Sequence, residues 1–461
     1  MRAVSVLVIA ATFLIAGCLD EVTKPVDDAI EAPTSLLAGP SLWRDPQNAP
    51  HPAFGFATLS APPVGANVPK YWQPIPEVEL PKVIKGISHV ARSPDEVRSG
   101  AGIALFGSLA IVPGYGNPSA ILDISDPANP TLLSTFESQL GSHRGVTLIP
   151  YPDGRLVTVI STGSGLDIWD LTDPLVPKPL TPISIGSHKV GVVPGTPIIY
   201  NARSGGGGAG TGATPETATG VTEIFDLTDP ENPVRLPDFK NGYSCHHVYF
   251  WNDVESTKFR GICAGSQFAQ IWDTADPRTP TVLVSVPIFH GESGTPSTSL
   301  PGAPWAHYAG LSIDGNILLV GDESGGGSAP PGCVAGSDSP LGWTGTPVGA
   351  LWFYDVSNPE DTKALGYFSP LNDPRVKAAP DTSCTAHHGR LVPAEGRDMV
   401  AMSFYGAGVL LIDFTDIEAG ILPTLVDQYA DGSDTWETWY YNGYLFTGDL
   451  ARGLDVIEFE G

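Results

Sequence analysis

The sequence predicts an all-β protein, a seven-bladed β-propeller of four-stranded antiparallel blades. Three observations predict it. A short phrase recurs along the chain, further short apolar runs accompany its copies, and no amphipathic helix lies between them. The 461 residues include 53 Gly and 45 Pro, with 9% aromatics. That composition suits many short strands joined by tight turns.

Taken in chain order, the first element is an export signal. Arg2 supplies a positive start and Val4 to Ile15 an apolar stretch too short to span a bilayer. It ends in Leu14-Ile15-Ala16-Gly17-Cys18, which resembles the lipobox of bacterial or archaeal lipoproteins. The resemblance implies cleavage after residue 17 and a lipidated Cys18 anchored on the outer face of a membrane, at the cell surface or in the periplasm. A simple signal peptide with a chance Cys is the alternative. Residues 18–75 carry many Pro, Ala and acidic residues without periodicity, and are expected to form a flexible tether. The propeller is expected over 76–461.

The recurring phrase is two apolar residues, Asp, an apolar residue, Ser or Thr, Asp, Pro. It stands at Ile121–Pro127, Ile168–Pro174, Ile224–Pro230, Ile271–Pro277 and Phe353–Pro359, and in degenerate form at Leu411–Asp416 and Gly453–Phe459. Aligned acids are spaced by 47, 56, 47, 82, 58 and 45 residues. The phrase reads as a buried strand stopped by Asp-Pro, because Pro cannot donate to a ladder and Asp can bond turn amides. One apolar run follows each copy and two precede it, giving four strands per unit. The last unit lacks its outer strand, and Val78–Ile84 is the spare strand expected to pair with it and close the ring. The long spacing is assigned to loops at Gly291–Pro304 and Ser324–Val348, with a third insertion at Gly205–Gly212.

Cys245, Cys263, Cys333 and Cys384 remain after Cys18. An even count in an exported chain suggests two disulfides. Cys245–Cys263, on adjacent strands of one unit, is the favoured pair, which leaves Cys333–Cys384. Net charge is −26 with only 16% of residues charged. Nucleic acid is excluded as a partner, since a polyanion needs a basic stripe.

The candidate functional residues are histidines. His143, His188, His246, His307 and His387 each begin the first strand of a unit, with His89 as a further candidate. In a propeller those positions surround one mouth of the axial channel. Neutral imidazoles there could hold Zn, Cu or Fe, in the manner of the four-histidine iron of carotenoid-cleaving dioxygenases, which are also propellers. The competing reading is structural, each His bonding a neighbouring blade. His247 and His388 are expected on the opposite strand face, Glu323 as a turn cap or Ca²⁺ ligand, and Trp436, Trp439, Tyr440, Tyr441 and Tyr444 as core.

The repeated Ile-Leu-Asp-Ile-Ser-Asp-Pro phrase resembles the LVIVD-repeat family of surface propellers over roughly residues 80–461. The resemblance implies an exported or membrane-attached propeller and no particular chemistry. Three functions follow: a non-catalytic surface protein presenting its loops and channel mouth to a protein, glycan or small ligand; a metal-dependent enzyme using His143, His246, His307 and His387, with His188 in reserve; or an envelope scaffold.

Overall fold

The computed structural model describes residues 70–461, apart from 205–219, 243, 254–257, 266–267, 289–304, 324–348, 371–372, 380, 382 and 431–433. The export signal, Cys18, the three expected insertions and Cys333 lie outside the described residues.

Among the described residues the strands group into seven antiparallel units of four strands, here called sheets, the sixth and seventh of which are joined by a single parallel bridge between His388 and Glu437. They span 104–136, 143–179, 189–235, 247–287, 306–368, 386–429 and 435–460. The third carries an extra short strand, Phe239–Gly242. The seventh borrows its outer strand from the N-terminal side: Gly86–Arg92 pairs antiparallel with Gly453–Glu460. That closing strand falls one run later than Val78–Ile84. Pro81 interrupts the earlier run and has no N–H for a ladder. Defined structure is already present before residue 76. Lys70–Trp72 forms a 3₁₀ turn, Trp72 packs edge-on against Phe106, and Ile75 is buried in the core between the seventh and first sheets.

The closed ring is visible in the packing. Seven apolar cores each join two neighbouring sheets, and the series runs from first and second round to seventh and first. Successive strand residues point to opposite faces. Ile317 and Leu319 therefore enter the core shared with the sixth sheet, and Leu318 and Val320 the core shared with the fourth. A strand sandwiched on both faces needs consecutive apolar residues, which explains the phrase. Ile121 packs against the second sheet and Leu122 against the seventh.

The phrase's acids behave as their chemistry dictates. The first Asp accepts the amide two residues on at Asp123, Asp170, Asp226, Asp273, Asp355 and Asp413. The second does the same at Asp126, Asp173, Asp229 and Asp276, with Asn358 standing in once. The five full copies thus end their strands in two Asx turns, and the degenerate copy at Asp413 keeps the first of them. Cys245, two residues before the first strand of the fourth sheet, and Cys263, on its second strand, form the expected disulfide. Cys384 is also disulfide-bonded.

Candidate metal centre

The first strands of successive sheets run beside one another around the axis. Each begins with a pair of residues: His143-Arg144, His188-Lys189, His246-His247, His307-Tyr308, His387-His388 and Trp436-Glu437. In a regular strand the two members would face opposite ways. Here the register shifts between His143 and Val146, Ala306 and Tyr308, Ala386 and Gly389, and Thr435 and Glu437. A β-bulge sets two residues against one and re-aims the side chains. In the fourth sheet, where the ladder starts only at His247, His246 lies just outside it and donates its amide to Ala264 O at 2.6 Å. Both members of the pairs 246–247 and 387–388 consequently reach the channel.

Six imidazoles gather there. Ring centroids lie 3.8 Å apart for His188 and His246, 4.2 Å for His246 and His307, and 4.2 Å for His307 and His387. His388 sits 4.6 Å from His307 and 4.7 Å from His247. Glu323, at the end of the second strand of the fifth sheet, turns its carboxylate into the cluster. Its oxygens stand 3.4 Å from His307 Nε2 and 3.5 Å from His387 Nε2, and Tyr405 Oη donates to Oε1 at 3.3 Å. Two donor sets emerge, His307 with His387 and His388, and His246 with His307 and Glu323. Within each, one ligand atom per residue falls within 4.8 Å of the others.

The hydrogen bonding of these rings is incomplete. Both nitrogens of His247 and of His307 are buried without a partner, as are Nδ1 of His188, His246 and His388 and Nε2 of His387. Buried polar atoms are ordinarily satisfied, and an orphan costs about 1–3 kcal/mol. His387 shows how one such nitrogen is prepared. Its Nδ1 bonds the carbonyl of Trp436, and only a protonated nitrogen can donate there. A backbone carbonyl held by one ring nitrogen is the arrangement usual for a metal-ligating imidazole, and it turns Nε2 toward the cluster, 3.5 Å from the Glu323 carboxylate. Burial, with Arg144 next in weight, pushes His188 down to about 3. Burial also holds His246, His247, His307 and His388 well below the ordinary imidazole value, helped by neighbouring rings and cations. These five rings are neutral at pH 7 and their lone pairs are open. The set fits an ion that prefers nitrogen with one carboxylate oxygen, as Zn, Cu and Fe do.

Not every expected ligand belongs. His143 is taken out by its neighbours: Nδ1 meets Ser119 Oγ at 2.5 Å and Nε2 meets Asp167 Oδ2 at 3.0 Å. Burial opposes ionisation of Asp167, but bonds from His143 and Gln139 hold it below the usual carboxylate value. His143 is the stitching histidine, tying the first sheet to the second. His89 lies on the closing strand rather than on a first strand, stacked on Tyr429 and 3.3 Å from Asp455. His188, His246, His307 and His387 do converge. His247 and His388 join them, against the expectation from strict alternation. Trp436 packs on His387 at 4.5 Å, and Trp439 lies beneath the Arg390 guanidinium at 3.7 Å. These two line the channel, whereas Tyr441 is core, as expected. Doubled His-His pairs were the signal for the missed ligands. Glu323 carried none, because only the register of its strand aims it inward.

No family model and no curated protein matches the chain. Solved structures do. The WD40 β-propeller domain of Doa1 aligns at 10% identity and TM-score 0.48, over 82% of this chain and 98% of that one. The β-propeller domain of Myceliophteria thermophila Cps50 (Swd1) aligns at 13% identity and TM-score 0.48, over 80% and 98%. The C-terminal WD40 domain of Sif2 aligns at 10% and 0.43, over 82% and 100%. The ring of sheets described above stands on this chain's own strand pairing and packing.

Proposed function

We propose that this protein is an exported, lipid-anchored propeller of the LVIVD-repeat type that holds a transition-metal centre in its axial channel and uses it on a small molecule. One observation carries the reading: buried imidazoles from four sheets converge on one another and on the Glu323 carboxylate, with several ring nitrogens that make no hydrogen bond. Inter-blade stitching, the competing explanation, requires partners of the kind His143 has. His246, His307, His387, His388 and Glu323 would hold the ion, with His188 and His247 at its margin. Such an ion supplies Lewis acidity, and redox chemistry if it is copper or iron. The protein's part is to keep His246, His307 and His388 neutral, orient the His387 ring through its contact with the Trp436 carbonyl, and shield the ligands from water. Export and anchoring rest on the apolar leader and the lipobox-like run ending at Cys18.

Elemental analysis of the protein purified without added chelator tests the centre. About one or two equivalents of a single transition metal are expected, lost in His307→Ala with the β-sheet circular dichroism unchanged. A metal-free, folded protein that takes up no Zn, Cu or Fe on dialysis would remove the proposal. Anchoring is tested apart from this. Cys18→Ser should move the protein from the membrane fraction to the soluble one, and an unchanged distribution would remove the anchor.

A further inference from the structure

Beside the histidine cluster, with His247 in its wall, lies a cavity of about 50 Å³. By the usual requirement of about 10–15 Å³ per water, that is room for roughly three to five non-hydrogen atoms. Its lining combines two chemistries: the cationic and imidazole side chains of Lys189, Arg390 and His247, and the apolar ones of Leu105, Leu148, Val192 and Phe250.

We infer that this cavity binds a small planar oxyanion with a short apolar tail, a carboxylate of about acetate or propionate size. The first support is an imbalance of buried charge. Lys189 Nζ and Arg390 Nη2 share a single carboxylate, Glu437, at 2.6 and 3.2 Å. All three residues are buried, Arg390 at 3% exposure. Two buried cations against one anion leave an uncompensated charge, which is costly in a low-dielectric site. The second support is unused donors. Arg390 Nη1 bonds the Gly389 carbonyl, but its Nε has no partner, nor does either nitrogen of His247, which is 1% exposed. Lys189 Nζ carries three N–H groups and, among the described residues, donates to Glu437. The third is preorganisation. Arg390 is sandwiched between Trp439 at 3.7 Å and Tyr249 at 4.7 Å, so its planar fork is fixed before any ligand arrives. A guanidinium recognises a carboxylate through just such fixed, parallel donors. The apolar wall gives a carboxylate's alkyl tail a place that a bare inorganic ion cannot use.

This site adjoins the proposed metal through His247 but does not require it, and the experiment keeps the two apart. Saturation-transfer NMR and thermal unfolding are recorded on metal-stripped and metal-replete protein with acetate, propionate, nitrate, chloride and tetramethylammonium. Acetate and propionate are expected to bind and raise Tm, nitrate to bind at least several-fold more weakly, and tetramethylammonium not at all. Arg390→Lys keeps the charge and loses the fork, and should weaken acetate binding at least tenfold. Thr147→Phe, at a half-buried position on the cavity wall, should block it without touching the charged groups, and serves if Arg390→Lys fails to fold. Equal Tm shifts from chloride and acetate, or acetate binding unchanged in Thr147→Phe, would overturn the inference. Acetate binding by a protein that takes up no metal would uphold it and end the metal proposal, and metal uptake without acetate binding would do the reverse.

Discussion

His307 belongs to both donor sets and has no hydrogen bond on either nitrogen, whereas His143 is bonded on both. The two should therefore respond oppositely to truncation. His307→Ala is expected to abolish metal retention while costing little stability in the stripped protein, because it removes two unsatisfied atoms along with the ring. His143→Ala should leave metal content intact and lower unfolding free energy by about 1–3 kcal/mol, since it removes the buried bonds to Ser119 and Asp167. Denaturant unfolding and elemental analysis on both variants check this, and a metal loss shared equally by the two would contradict it. At this scale the sequence was informative about residue type and partly about role. Repetition of His at the head of each unit was legible, because duplication copies position. Which copies are engaged elsewhere was not, because His143 is claimed by Ser119 and Asp167, 24 residues away on either side.

The next scale is the strand, and there the bulges decide the site. Gly389 ends the bulge that lets His387 and His388 both enter the channel, and a Cβ at this position would meet the Ala401 carbonyl at 2.6 Å. Backbone must move to admit one. Gly389→Ala is expected to cost about 1–3 kcal/mol and to lower metal affinity through misplaced imidazoles, checked by unfolding and by competition with a chromophoric chelator. Unaltered affinity would show that the bulge does not set the ligands. Strict alternation is the natural reading of an unbroken strand, which is why His247 and His388 were expected on the other face; register shifts leave no residue signature of their own. The closing strand makes a parallel case. An edge left open by the last unit was legible from the count of runs, but the choice of Gly86–Arg92 over Val78–Ile84 turned on Pro81. A chain beginning at residue 93 should lose the outer strand of the seventh sheet and aggregate through the exposed edge. One beginning at residue 70 should fold as the full chain does. Light scattering separates the two, and a soluble, monomeric shorter chain would refute the closure.

For the molecule as a whole, a closed ring of seven inter-sheet cores couples every sheet to its neighbours, so a charge forced into the channel burdens the entire fold. Five buried histidines, 188, 246, 247, 307 and 388, have their protonation suppressed chiefly by burial. In the unfolded chain each takes up a proton near pH 6.5. Below that value unfolding binds protons that the folded state refuses, so stability falls with falling pH. Each histidine contributes up to about 1.4 kcal/mol per pH unit until its own folded value is reached, about 3 for His188. Glu437 works in a lower window. Burial alone would raise it, but Lys189 and Arg390 outweigh burial and hold it below the usual carboxylate value. Its contribution therefore persists as the histidines fail and is lost only as pH drops through that lowered value. The metal-stripped protein is accordingly expected to lose stability steeply from about pH 6.5 downward, with several protons taken up on unfolding. Bound metal should raise the whole curve at neutral pH, by the logarithm of its concentration over its dissociation constant. It should do so less at pH 5, where protons compete for the same lone pairs. Urea unfolding of stripped and loaded protein at pH 7.5, 6 and 5 measures both effects. A stripped protein equally stable at pH 7.5 and 5 would mean that the imidazoles are already charged or solvated, and a channel of neutral, unpartnered ligands would then be the wrong description.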